Sequence, residues 1–230
     1  MDNVIQSSAT IGVVISLLAY EFGVLLQKKT KKAFLNPLLI SIILVILFLL
    51  IFDINYDSYN QSAKYLSYLL TPATVSLAVP LYRQIELLKK NFGAVMLGIF
   101  SGVLTSLLSI LAMAAIFGLS HKEFVTLLPK SITTAIGMGI SEELGGYVTI
   151  SVAAIIVTGI LGNMIAPFCC KFYKLKHPIS KGLAIGTASH AIGTTKALEM
   201  GEIEGAMSSL SIVVSGLLTV VLASVFAMIY

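Results

Sequence analysis

Thr187–Glu204, TASHAIGTTKALEMGEIE, lies between apolar segments of membrane length, yet it is rich in Gly, Ser, Thr and charge. It holds one of the chain's three His, one Lys, and Glu199, Glu202 and Glu204. Ionisable groups are costly in hydrocarbon and usually face a cavity or pathway. A helix that only held a bundle together would not need this chemistry. The stretch, with two related ones upstream, therefore reads as the working centre of a membrane transporter.

The surrounding chain supports a membrane reading. Of 230 residues, 57% are hydrophobic and 11% charged, whereas soluble domains are about a quarter charged. Charge-free runs cover Asn3–Tyr20, Ala33–Phe52, Tyr65–Tyr82, Asn91–Ser120, Leu144–Cys170 and Gly205–Tyr230. About 20 apolar residues span a ~30 Å hydrocarbon core as a helix. Four of these runs reach that length, and the remaining two fall slightly short. The net charge of +4 resides in short loops between apolar runs, which is a topology signal and not a nucleic-acid footprint. Cys169 and Cys170 are neighbours, a poor disulfide geometry and a weak metal site.

Taken in order, the first helix is expected at about Val4–Leu26. No basic stretch precedes it and no cleavage site follows, so it reads as a membrane helix and not a removed signal. Glu21 near its end is either interfacial or a site carboxylate. Lys28, Lys29, Lys31 and Lys32 belong on the cytoplasmic side, which places the N-terminus outside. Pro37–Phe52 is a plain apolar helix. The segment near 67–82 carries Pro72 and Pro80, with Thr71 and Thr74 beside the first. Proline removes a backbone donor and clashes one turn back, so the segment reads as a broken helix or a simple kink. Asn91–Leu119 is a long helix with Gly93, Gly98 and Gly102 for close packing. His121 falls in a polar loop.

Thr126–Gly146 is too polar for an ordinary span. Pro129 and Lys130 open it, Ser131, Thr133 and Thr134 follow, then Gly137 and Gly139, then Ser141, Glu142 and Glu143. Lys130 reads either as an anion-binding cation or as an interfacial residue reaching for headgroups; helix N-termini nearby also favour anions. Tyr147–Cys170 is another plain helix, and Lys171, Lys174, Lys176 and Lys181 place the loop after it inside. Gly182–Ala197 is polar and broken, with Gly186 and Gly193 allowing close backbone approach or unwinding, and Gly205–Tyr230 is the last helix.

The two halves echo each other. SGVLT from Ser101 resembles SGLLT from Ser215, and a broken Thr-containing segment precedes each. Paired interrupted segments point to a transporter site at a repeat interface. The expected fold is an all-α polytopic membrane protein of two repeats, residues 1–118 and 119–230, with breaks near 67–82, 126–146 and 182–199. The charge bias makes the repeats inverted, provided 126–146 is a re-entrant hairpin turning near Gly137–Gly139.

The candidate substrate-binding residues are Thr71, Thr74, Lys130, Ser131, Thr133, Thr134, Ser189, His190, Gly193 and Thr194. Hydroxyls, one cation and helix ends suit a small organic anion. His190 and Glu142 are the candidate proton carriers, because the free imidazole titrates near neutrality; the alternative for His190 is a packing role against a carbonyl. Ser189 and His190 are no catalytic dyad, since neighbours on a helix point ~100° apart. No nucleophile–base pair, phosphate loop or metal-ligand spacing is evident, so no enzyme, metal or cofactor is expected. A coupling ion, H+ or Na+, stays open. Lys196 and Glu199 suit an intrahelical pair, and Glu202 and Glu204 an interface.

LLTPATVSLAVPLY from Leu69, LLPKSITTAIGMGIS from Leu127 and ASHAIGTTKALEMGEIEGAMSSLSI from Ala188 resemble the LrgB/CidB family in order and spacing, and the likeness covers essentially the whole chain. One departure is Ala135, where the family often has Pro. The resemblance implies an antiholin-like protein linked to murein hydrolase activity and cell lysis. It also implies transport of monocarboxylates such as pyruvate or, in plastid relatives, glycolate and glycerate. It further implies an elevator-type fold, a homodimer, a small LrgA/CidA-type membrane partner, and a place in the bacterial plasma membrane. The rival reading is a holin-like pore or pore regulator.

Overall fold

The computed structural model describes residues 10–30 and 35–230. Most of the first helix's expected start and Lys31 and Lys32 therefore lie outside the described residues. Every regular element among those described is helical. The chain forms two compact units, one running through Ser76 and the other Leu77–Tyr230. This division reflects packing and does not bear on the repeat boundary expected between residues 118 and 119.

In the first unit, α1 (Ile11–Thr30) packs on α2 (Pro37–Ile51) and on α3 (Tyr56–Ala63). Its two buried residues, Gly12 and Gly23, are the reason it can approach so closely. A Cβ on Gly23 would lie 2.9 Å from Pro37 Cα, and one on Gly12 would lie 2.6 Å from Ser62 Oγ. The Gly12 amide instead donates to that hydroxyl at 2.9 Å. Local chemistry sets the start of α2: Asn36 Oδ1 accepts from the Leu38 and Leu39 amides, and Pro37 fills the first helical position. Glu21 is exposed. A 3-10 turn (Lys64–Leu69) and α4 (Leu70–Ser76) complete the unit.

The second unit begins with two short helices, α5 (Ala78–Arg83) and α6 (Ile85–Lys90). Pro72 and Pro80 each fall in the first turn of a short helix, α4 and α5, where the missing N–H is not needed. The broken character expected near 67–82 is thus present, with interruptions at Leu77 and Gln84. There follow α7 (Phe92–Phe117), α8 (His121–Leu127), α9 (Thr134–Glu143), α10 (Val148–Phe172), α11 (Pro178–Met200) and α12 (Glu202–Ala227). Gly118, at φ 62°, ends α7, and the Leu119 amide caps Ala114 O at 3.0 Å. Ser120 and Glu123 form a reciprocal capping box that starts α8.

Among the described residues, four helices, α1, α7, α10 and α12, are long and apolar enough to cross a membrane. The 26 residues of α7 extend for ~39 Å, more than a ~30 Å core requires. Along the most apolar stretch of α12, 39% of residues are buried, against 11% for α1, so α12 is the central post of its unit. It packs most extensively on α11, and α11 in turn lies against α10 and α7. Val95, Ile99, Val103, Leu107, Ile110 and Ala114 repeat at helical spacing and carry one face of α7 into the core with Phe124, Leu128 and Met207. Many large apolar side chains stay exposed, among them Leu97, Ile116, Leu217 and Val221, which suits lipid as the outer solvent.

Two interruptions fall at residues other than the glycines singled out for them. Helix α9 runs unbroken through Gly137 and Gly139, and the chain turns earlier, over 128–133, where Pro129 lacks an amide to continue α8. Gly137 instead makes room for Ile155, whose side chain a Cβ there would strike. Helix α11 likewise runs through Gly186, which is pressed against Ser208 of α12, and breaks at His190 with φ 41° and ψ −141°.

Candidate functional site

The turn 128–133 places Lys130 at the edge of an open cleft of about 760 Å³ inside the second unit. The walls come from α7, α10 and the first half of α11. On α7 the lining residues Gly98, Ser101, Thr105 and Ser109 repeat at helical spacing, roughly 140° around the helix from the apolar stripe. One helix thus presents an oily face to the core and a small, hydroxylated face to the cleft.

Lys130 is the cleft's charged lining residue. Its Nζ donates to Ser131 Oγ at 3.0 Å, and Ser131 Oγ shares a hydrogen bond with Ser106 Oγ at 3.1 Å. Ion pairs among the described residues are Lys181–Glu204 and Lys196–Glu199, so no carboxylate there neutralises Lys130. A half-buried cation held only by a hydroxyl is a ready acceptor of an anion. The helices on either side of the Lys130 turn, α8 and α9, are tied to the start of α10: the Tyr147 amide donates to Thr126 Oγ1 at 2.8 Å, and Ser151 Oγ lies 2.7 Å from both Thr126 O and Ser141 Oγ.

The break in α11 is held from α10. His190 is buried, and its Nε2 lies 3.0 Å from Ile155 O. Gly159 supplies the space, since a Cβ there would come 2.7 Å from His190 Cε1. Gly162 does the same for Ser189, whose side chain a Cβ would strike. Asn163 Nδ2 donates to Ile192 O at 2.9 Å and to Thr195 Oγ1 at 2.8 Å. Thr194 Oγ1 donates to His190 O at 2.9 Å and pairs with Ser208 Oγ at 2.7 Å. A left-handed φ at a non-glycine residue costs on the order of 1–2 kcal/mol, which these contacts offset.

Of the residues singled out in the sequence, Lys130, Ser131 and Ser189 line the cleft together. His190, Gly193 and Thr194 lie buried in the packing behind it, and His190 makes the carbonyl contact that was its alternative reading. Thr133 and Thr134 start α9 without lining the cleft, and Glu142 is exposed at that helix's end. Thr71 and Thr74 belong to α4 in the first unit, and their side chains lie outside what the structure describes. Lys196 and Glu199 pair along the helix at 2.7 Å. Glu202 is exposed, and Glu204 is buried within the protein and paired with Lys181 at 3.6 Å. The sequence reading passed over Ser106, Thr158 and Thr187. The recurrence of small polar residues at i, i+4 and i+8 along α7 was the signal for Ser101, Thr105 and Ser109.

These features define an all-helical membrane protein that encloses a hydroxyl-lined, cationic cleft in its larger unit. Residues 16–229 match the LrgB-like family, and the chain belongs to that family. It is 39% identical over 216 residues to an antiholin-like protein LrgB of Bacillus cereus (strain B4264), covering 94% of each chain. The same identity and coverage relate it to the antiholin-like protein LrgB of Bacillus anthracis (strain CDC 684 / NRRL 3495). No solved structure matches.

Proposed function

We propose that the protein is a carrier for small monocarboxylates of the pyruvate, lactate and glycolate/glycerate class. The observation that supports this most directly is Lys130, a cation without a carboxylate partner among the described residues, at the edge of a hydroxyl-lined cleft. The cation neutralises the carboxylate and hydroxyls orient it. The broken helix beside the cleft and the paired SGVLT and SGLLT segments support alternating access by two inverted repeats moving in elevator fashion. On this reading the protein sits in the bacterial plasma membrane with its N-terminus outside. It works as a homodimer with an LrgA/CidA-type partner, and proton or sodium coupling accompanies the substrate.

The test is uptake of radiolabelled lactate, pyruvate and glycolate into proteoliposomes of the purified protein, with and without a pH gradient. Saturable uptake with mutual competition is expected. The relatives' name, antiholin-like, favours a second reading, a pore or pore regulator linked to lysis control. That reading predicts leakage of large dyes and no saturable uptake.

A further inference from the structure

Thr187 is 6% exposed, and its Oγ1 is a buried polar atom without a hydrogen-bond partner among the described residues. A hydroxyl left in this state costs about 1–3 kcal/mol relative to a satisfied one. Native structures rarely keep such a group without a use for it. Thr187 also lines the cleft alongside Lys130, Ser131 and Ser106. Its position is constrained: its methyl fills the space left by Gly102, where a Cβ would come 2.7 Å from Thr187 Cγ2. The other hydroxyls near Lys130 are already committed, Ser131 to Lys130 and Ser106 to Ser131. Behind Thr187 lies a chamber of about 10 Å³, shared with Ser215 and Thr219 and at the lower limit for one water.

We infer that Thr187 is a specificity-determining residue of the cleft, whose hydroxyl binds an oxygen that the ligand carries outside its carboxylate. Lys130 takes the carboxylate; Thr187 takes the hydroxyl or carbonyl oxygen that distinguishes lactate or pyruvate from propionate. A site that hydrogen-bonds such an oxygen discriminates against the analogue lacking it. The inference rests on the carrier reading above.

The experiment compares lactate with propionate, the same skeleton without the hydroxyl, in wild type, Thr187→Val and Thr187→Ser. Proteoliposome KM values and the lactate-induced rise in thermal midpoint of the purified protein are both measured. The Val variant is expected to lower the lactate-over-propionate preference by roughly 10-fold, and the Ser variant to retain most of it. Without ligand, the Val midpoint should match or exceed that of wild type, because no hydrogen bond within the protein is lost. Thr187→Ala replaces the Val variant if the latter does not yield monodisperse protein. An unaltered preference in an active Val variant overturns the assignment. A lower ligand-free midpoint with unaltered preference overturns it as well, and assigns Thr187 to a fixed water in the chamber. If wild type neither transports lactate nor is stabilised by it, the carrier reading fails first and takes the Thr187 assignment with it.

Discussion

Replacing Lys130 with Met removes the cleft's charge while keeping most of the side chain's apolar stem. A unit charge ~4 Å from a carboxylate, at an effective dielectric of ~20, is attracted by roughly 4 kcal/mol. Part of this is offset, because the anion and the ammonium both lose water on binding. The net contribution of a hydrogen bond to a charged group is about 1.5–3 kcal/mol. At about 1.4 kcal/mol per decade, KM for lactate should rise roughly 10- to 100-fold. The fold should not suffer in proportion. Lys130 Nζ donates to Ser131 Oγ, and Ser131 keeps Ser106 as a partner. No carboxylate described here is left unpaired by the change. The thermal midpoint without substrate should therefore stay within a few degrees of wild type. Lys130→Arg keeps the charge but not its shape, and should fall between the two. The assay is initial-rate lactate uptake in proteoliposomes, with the midpoint measured on the same preparation. A KM for Lys130→Met within twofold of wild type would refute the reasoning. So would a collapse of the midpoint that accounts for the lost uptake, since Lys130 would then be a structural residue.

Gly162→Ala drives a methyl into the Ser189 side chain, and overpacking of this kind costs about 1–3 kcal/mol, to be read as a lower midpoint together with lost uptake. Gly93→Ala, where nothing lies within 4 Å of the added methyl, is its matched control on α7. Tyr230 donates to Ala114 O and Leu119 O at 3.1 and 2.6 Å and packs its ring at a tilt against Phe124; Tyr230→Phe should lower the midpoint by an amount equivalent to about 1 kcal/mol, with uptake retained. Hydrogen bonds from the Ser120 amide and hydroxyl hold the Glu123 carboxyl below the usual carboxylate range. A lowered folded-state pKa means the stabilisation is complete above the unfolded value of ~4.3 and is lost as pH falls through the folded one. The midpoint gap between wild type and Glu123→Gln should accordingly be present at pH 7 and close in acid; a gap that does not vary with pH would remove the linkage.

Much of the candidate site was legible because some of its signals are local. Lys130 and Ser131 stand out as polar residues after a proline in an apolar context, and both reach the cleft. His190 stood out as an ionisable residue in an apolar context, yet its ring is committed to a backbone carbonyl through space that Gly159 provides. That arrangement joins residues 31 positions apart, on different helices, and no pattern within either helix specifies it. Gly137 and Gly186 show a related ambiguity. A glycine inside a membrane helix serves either to bend it or to let a neighbour approach, and the choice depends on the neighbour. Ile155 and Ser208 decide both cases for approach.

The sequence by itself determined the class of protein and the ends of several helices. Hydropathy accumulates along the chain, so apolar runs of membrane length declare themselves without any knowledge of packing. Caps such as Asn36-Pro37 and Ser120 with Glu123 act within one helical turn, so they too can be read locally. Only the tertiary structure decided where α11 breaks, that Glu204 is buried against Lys181, and which hydroxyls face the cleft. Each of these depends on which side chain meets which across helices that are distant in sequence. The unpartnered hydroxyl of Thr187 belongs to this second group, since being without a partner is a property of its surroundings.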